Sequence, residues 1–117
     1  MDVIRGHSGA TEIEVGIVIA QFSEYITSKL LEGAIAGLKD NGISDDSITA
    51  VWVPGSFELP LMAQTMLELD HYDLIICLGA VIRGETPHFE YVSQAAATGI
   101  SRVGLDYGVP VIFGVLT

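Results

Sequence analysis

Four short apolar runs constrain the fold of this chain more than any other feature. They lie at Val15–Ala20, Ile48–Val53, Leu74–Leu78 and Val111–Leu116, and continuous runs of this length are typical of strands covered on both faces. The intervals between them show helical spacing of apolar residues. The order is therefore β-α-β-α-β-α-β, which predicts a parallel sheet with helices on both faces.

Helical periodicity defines the three intervals. The first helix is predicted to carry an apolar stripe from Ile26 to Leu38 and to end at Asn41-Gly42, and the second spans Leu59–Leu69. The third is marked by apolar residues that recur at helical spacing and is broken by glycine and proline: Phe89, Val92, Ala96, Ile100 and Val103, then Gly108 and Pro110. Residues 1–14 show little pattern, so we expect an N-terminal arm on one domain that spans residues 1–117.

A flavodoxin-like strand order, 2-1-3-4, fits this alternation. Because crossovers are right-handed, the first helix would cover one face of the sheet and the next two the other. The first face would then have one helix over four apolar strands. We therefore expect a three-layer α/β/α fold whose C-terminal helices are absent, in a chain truncated after Thr117.

Charge and composition exclude several classes of partner. The net charge is −10 with only five Lys or Arg residues, which argues against nucleic acid or an anionic membrane surface as partner. No apolar run reaches the roughly 20 residues of a membrane span, although mean hydropathy is +0.49. Cys77 is the single cysteine and no apolar segment follows Met1, so we expect a cytoplasmic protein without an intrachain disulfide.

Parallel α/β sheets bind ligands at the carboxyl ends of their strands, near the switch in strand order. Four segments follow the predicted strands: Gln21-Phe22-Ser23, Pro54–Glu58, Ala80–His88 and the residues from Gly114 onward. We expect them to form one pocket.

The first two segments each allow a functional and a structural interpretation. Phe22 could stack on a planar heterocycle, or it could pack on the core at the start of a helix. Backbone N–H groups near Ser56 and Phe57 could bind hydroxyls or anions, and Glu58 could accept hydrogen bonds from a sugar. Alternatively, Ser56 is a helix cap and Glu58 favours the helix dipole. Spacing alone favours the structural alternative in both segments.

The segment Gly79–His88 is denser in potential chemistry. Gly84 permits close backbone approach, Glu85-Thr86 could bind phosphate, and the imidazole of His88 could transfer protons near neutral pH. The alternative is that His88 is an ordinary polar residue in the first turn of a helix. Its loop position at the carboxyl end of a strand favours function.

Other single residues support weaker hypotheses. Arg83 could clamp a phosphate or pair with a carboxylate, and the sequence supports both equally. Cys77 is expected to be an inert core thiol. His7 and His71 have no metal-ligand spacing, and no Walker-type loop, GxGxxG or GxSxG is present.

Longer stretches resemble the lumazine synthases. Phe22 after VGIVIA carries this resemblance, together with WVPGSFELP (52–60), GAVIRGETPHF (79–89) and GVPVIFGVLT (108–117). The likeness runs from the first strand to the last residue, and the order and spacing of all four motifs fit.

The resemblance implies condensation of 5-amino-6-(D-ribitylamino)uracil with 3,4-dihydroxy-2-butanone 4-phosphate, without a metal or organic cofactor. It implies that Phe22 stacks on the pyrimidine and that His88 moves protons. The other implied substrate-binding residues are Ser56, Phe57 and Glu58 for the ribityl chain, Ala80, Val81 and Ile82 for the uracil, and Glu85 and Thr86 for the phosphate substrate.

The resemblance also implies a homo-oligomer, usually a pentamer or an icosahedral shell of pentamers, in which Phe113 reaches a neighbouring subunit's site. Family members continue past the position of Thr117 into two helices that carry an Arg and a Lys of the site. Arg83 does not match that Arg by position, so its role is not transferred. We therefore expect the 117-residue polypeptide alone to have little synthase activity. The alternatives are a flavin- or lumazine-binding module and a shell-forming subunit without turnover.

Overall fold

The computed structural model describes residues 1–84 and 87–117. Its sheet contains four parallel strands in the order β2-β1-β3-β4: β1 (Val15–Ala20), β2 (Ile48–Val53), β3 (Leu74–Ala80) and β4 (Val111–Leu116). The flavodoxin-like order is confirmed. β3 extends two residues beyond the predicted Leu74–Leu78 because Gly79 and Ala80 continue the pairing with β4.

Three helices connect the strands: α1 (Glu24–Asp40), α2 (Leu59–Leu69) and α3 (His88–Tyr107). The predicted glycine stops are confirmed at both long helices. Gly42 follows the α1 cap with a φ of 90°, and Gly108 caps α3 with a φ of 65°. Glycine adopts these left-handed conformations without the steric cost that a Cβ would add.

Two apolar clusters lie on opposite faces of the sheet. On one face, Val15, Ile17 and Ile19 of β1 are fully buried and pack with the apolar stripe of α1. On the other face, Val18 belongs to a cluster that includes Leu59 of α2 and several residues of α3. This division confirms that α1 covers one face and that α2 and α3 cover the other.

The α1 side of the sheet is covered unevenly. Val111 and Val115 of β4 belong to the α2–α3 cluster, so strand alternation directs Ile112 and Leu116 to the α1 side. These two side chains are 46% and 53% exposed.

In residues 1–84 and 87–117, no helix combines the length and apolar character needed to cross a membrane.

Cys77 lies in the middle of β3 and is completely buried in the α2–α3 cluster. Burial raises the pKa of its thiol to about 12. Because only the thiolate reacts as a nucleophile, this position agrees with the prediction of an inert core thiol.

Gly33 in α1 offers a test of helix stability. A Cβ built at this position has no heavy atom within 4 Å. We expect Gly33→Ala to raise the free energy of unfolding by about 0.5–1 kcal/mol, because alanine loses less backbone entropy on folding. Urea unfolding followed by circular dichroism measures the change, and a lower midpoint would contradict it.

A hydrogen-bonded group joins the C-terminal ends of α2 and α3. The Tyr107 hydroxyl donates to Glu68 Oε1 at 2.7 Å, and Gln64 Nε2 donates to the same oxygen at 2.9 Å. Both bonds hold the pKa of Glu68 below its usual range, and the Tyr107 bond has the larger effect. Because the folded-state pKa is lowered, the resulting stabilisation is present above the unfolded pKa of about 4.3 and is lost as pH falls through the folded value.

We therefore expect Tyr107→Phe to raise the pKa of Glu68 toward its ordinary value and to weaken this acid dependence. A titration followed by the NMR signal of the Glu68 carboxyl carbon measures the shift. Asp73, whose pKa is lowered first by the hydrogen bond that its carboxylate accepts from the Glu14 N–H at 2.8 Å, provides a control carboxyl that should titrate alike in both proteins. An unchanged Glu68 titration would show that the Tyr107 bond does not set its pKa.

Candidate functional site

A cavity of about 500 Å³ lies at the carboxyl ends of β1, β2 and β3. Its lining is mostly apolar, and Glu58 and His88 are the titratable side chains among the described residues that form it. The described lining residues are Phe22, Pro54, Gly55, Ser56, Phe57, Glu58, Ala80, Val81, Ile82, Gly84, His88, Phe89 and Val92. The segments that follow the first three strands therefore meet in one cavity, whereas none of the residues from Gly114 onward, the fourth predicted segment, lines it.

Phe22 reaches the cavity because the chain turns sharply after β1. The N–H groups of Gln21 and Phe22 donate to the carbonyls of Val53 and Pro54 at 2.7 and 3.0 Å, which ties this turn to the end of β2. Ser23 then adopts a left-handed conformation with a φ of 59° and begins α1. The Phe22 side chain is 62% exposed, so the alternative in which it packs on the core is wrong.

The segment after β2 forms a 3₁₀ turn over Ser56–Glu58 that leads into α2. Glu58 Oε1 accepts a hydrogen bond from the Gly55 N–H at 2.9 Å and so closes the turn. Within this turn, the Phe57 ring is 60% exposed at the cavity.

Ser56 does not cap this turn, so the alternative that assigned it a capping role is wrong. Gly55 occupies the capping position, and the Ser56 side chain is buried. Its hydroxyl has no hydrogen-bond partner in the part of the chain that the structure describes. A shielded hydroxyl without a partner is unfavourable, which makes Ser56 an unusual element of the cavity floor.

The segment after β3 provides one wall of the cavity. Ala80 and Val81 are buried, and the Val81 N–H donates to the Leu116 carbonyl at 2.7 Å. Ile82 is half exposed. His88 is the first residue of α3 and lies at the cavity with an exposed side chain. The predicted phosphate contacts Glu85 and Thr86 lie outside the described residues.

Phe113 and Arg83, both considered in the sequence analysis, are not among the described residues that line the cavity. Phe113 pairs in register with Cys77 on the edge strand β4 and is 45% exposed. The guanidinium carbon of Arg83 lies 5.4 Å from the ring centroid of Phe89, which itself lines the cavity. The observed neighbour of Arg83 is thus an aromatic ring, at a distance typical of a cation–π contact.

Phe89 and Val92 were predicted only as part of the apolar stripe of α3, yet both line the cavity. Their position directly after His88, in the first turns of the helix, was the available signal.

Across residues 1–84 and 87–117, no group of three or more His, Cys, Asp or Glu side chains is placed to hold a metal ion.

The arrangement can hold a flat, mostly uncharged molecule. Two exposed phenyl rings offer stacking surfaces, the turn before α2 offers backbone groups, and an imidazole lies at the edge of the same space.

Comparison with known protein families adds one finding: the family model of 6,7-dimethyl-8-ribityllumazine synthase matches residues 12–117.

Proposed function

The chain belongs to the 6,7-dimethyl-8-ribityllumazine synthase family, the transferases of riboflavin biosynthesis, and from that premise we propose its reaction. It condenses 5-amino-6-(D-ribitylamino)uracil with 3,4-dihydroxy-2-butanone 4-phosphate to give 6,7-dimethyl-8-ribityllumazine, phosphate and water. The observation that carries this proposal is the apolar cavity with two exposed phenyl rings and one imidazole.

The cavity supports a division of roles among its residues. Phe22 stacks on the pyrimidine ring, because its phenyl side chain is exposed beside the switch between β1 and β3. Ser56, Phe57 and Glu58 receive the ribityl chain at the start of α2. The uracil edge lies against a backbone segment that continues β3, formed by Ala80, Val81 and Ile82.

The chemistry consists of proton transfers between groups that must be held close together. The amine of one substrate attacks the ketone of the other and forms an imine with loss of water. Loss of phosphate and closure of the second ring, with release of water, complete the product. His88 donates and accepts the protons of these steps, since its side chain lies at the cavity and an imidazole exchanges protons near neutral pH. Orientation of the two substrates supplies much of the remaining rate enhancement.

Assembly belongs to the same proposal. Glu85 and Thr86 contact the phosphate substrate, and Phe113 of one subunit completes the cavity of a neighbour. The exposure of Phe113 at the sheet edge supports this role, because its ring is available to another chain. We propose a homo-oligomer whose active sites lie between subunits.

Formation of the lumazine from the two purified substrates, followed by its absorbance and fluorescence, tests the proposed reaction. Omission of the butanone phosphate provides the blank. Product formation supports the transferase, and a normal turnover rate would contradict the expectation that the 117-residue polypeptide alone has little synthase activity. Binding of the lumazine without turnover would favour the binding module. An assembled shell that neither forms nor binds the lumazine would favour the structural subunit. Sedimentation velocity distinguishes an assembled shell from a monomer.

A further inference from the structure

We propose that Gly79 is a positioning residue for this reaction: the lack of a side chain there seats the Ser56–Glu58 turn and sets the depth of the cavity. The proposal rests on the proposed synthase function. Gly79 is buried in β3, and it contacts the floor of the cavity from behind rather than lining it.

The evidence is a close approach between two elements. A Cβ built on Gly79 would overlap with the hydroxyl oxygen of Ser56. It would also lie 3.2 Å from Leu59 Cδ1 and 3.4 Å from Ser56 Cβ. The backbone of Gly79 is in an ordinary conformation and not among the left-handed glycines of the described chain, so alanine would fail here for lack of space and not because of backbone strain.

The Ser56 hydroxyl is the group that this overlap would displace most easily. Leu59 is fully buried, and Gly79 is held in the sheet by its pairing with Val115. The Ser56 hydroxyl, in contrast, has no partner among the described residues. No hydrogen bond of the described protein therefore opposes its displacement, and a hydroxyl moved toward the cavity gains water as a partner.

Rotation of the Ser56 side chain alone would relieve the overlap with its oxygen, but it would not relieve the 3.2 Å approach to Leu59 Cδ1, so we expect the turn that leads into Leu59 to move as well. Phe57 and Glu58 follow Ser56 in the same 3₁₀ turn, and all three line the cavity. A methyl group at position 79 should therefore make the ribityl end of the cavity shallower. The proposed phosphate contacts Glu85 and Thr86 belong to a different segment of the chain, which follows β3 in the sequence, so we expect the phosphate contacts to be spared.

The test is a double-mutant cycle of Gly79→Ala, Ser56→Ala and the double variant, with KM and kcat measured for each substrate. We expect Gly79→Ala to raise KM for the ribityl substrate by roughly 10- to 100-fold and to leave KM for the butanone phosphate unchanged. In the Ser56→Ala background the overlapping oxygen is gone, so the same change should have much less effect. Gly33→Ala, whose added methyl meets open space, is the matched control.

Other outcomes would overturn the proposal. It is wrong if Gly79→Ala raises both KM values equally, changes neither, or has the same effect with and without the Ser56 hydroxyl. If Gly79→Ala does not fold, the double variant should restore folding, and failure to do so also counts against the proposal.

A failure of the proposed function would be separately visible. A wild-type protein that neither turns over the substrates nor binds the lumazine would exclude the synthase function. The urea midpoints of the same four proteins would then still test the close approach: non-additive midpoints support the pairing of Gly79 with Ser56, and additive midpoints overturn it.

Discussion

Replacing His88 with alanine is expected to lower kcat by roughly 10²- to 10⁴-fold, the usual contribution of a positioned general acid–base group. The fold and the assembly should remain intact, because the side chain is exposed at the start of α3. Steady-state rates of lumazine formation measure the effect, and sedimentation velocity confirms that the variant still assembles.

His71 supplies a matched control for this experiment. It lies in the loop between α2 and β3, at the opposite end of the sheet from the cavity, and its Nε2 is 3.1 Å from Asp73 Oδ1. His71→Ala removes the same chemical group and should leave kcat unchanged. Added imidazole should restore part of the rate of His88→Ala. A normal kcat for His88→Ala would exclude the acid–base role.

Replacing Phe22 with alanine is expected to raise KM for the ribityl substrate and to alter stability little. Stacking of a heterocyclic base on an aromatic side chain contributes about 1–3 kcal/mol, which corresponds to roughly 5- to 150-fold in affinity. The ring is 62% exposed in the unliganded cavity, so its removal leaves no hole in the core. KM for each substrate and the urea midpoint measure the two parts of this expectation.

Tyr25 is the matched control for Phe22. It lies in the first turn of α1, is 77% exposed, and is not among the described residues of the cavity lining. Tyr25→Ala should therefore leave both KM values unchanged, whereas Phe22→Tyr should retain most of the affinity because it keeps the ring. If Phe22→Ala bound the ribityl substrate normally, the stacking role would be wrong.

The architecture could be predicted from the chain because its signals are local. Three of the four strands have the bounds of their apolar runs, since a strand buried on both faces requires apolar residues in succession. Right-handed crossovers then determine which helix covers which face. The meeting of Phe22, Pro54–Glu58 and His88 in one cavity also follows from the parallel direction of the strands.

The details of the site could not be predicted because they depend on contacts between distant segments. Spacing alone favoured a buried Phe22 and a capping Ser56; the structure has an exposed ring and a buried hydroxyl without a described partner. The hydrogen bonds of Gln21 and Phe22 to the end of β2 position the exposed ring, and the lack of a side chain at Gly79 leaves space for the buried hydroxyl. Neither effect leaves a periodic signal in the chain.

The opening constraint, four apolar runs separated by helical spacing, thus determined the strand order, the two layers of helices and the edge of the sheet at which a ligand can bind. Burial of apolar surface acts along the chain with the period of each element, so a linear pattern is enough to specify these features. Only the tertiary structure decided which side chains face the cavity and which glycine must lack a Cβ. Steric exclusion at that scale depends on atoms brought within about 4 Å of each other from different strands and helices.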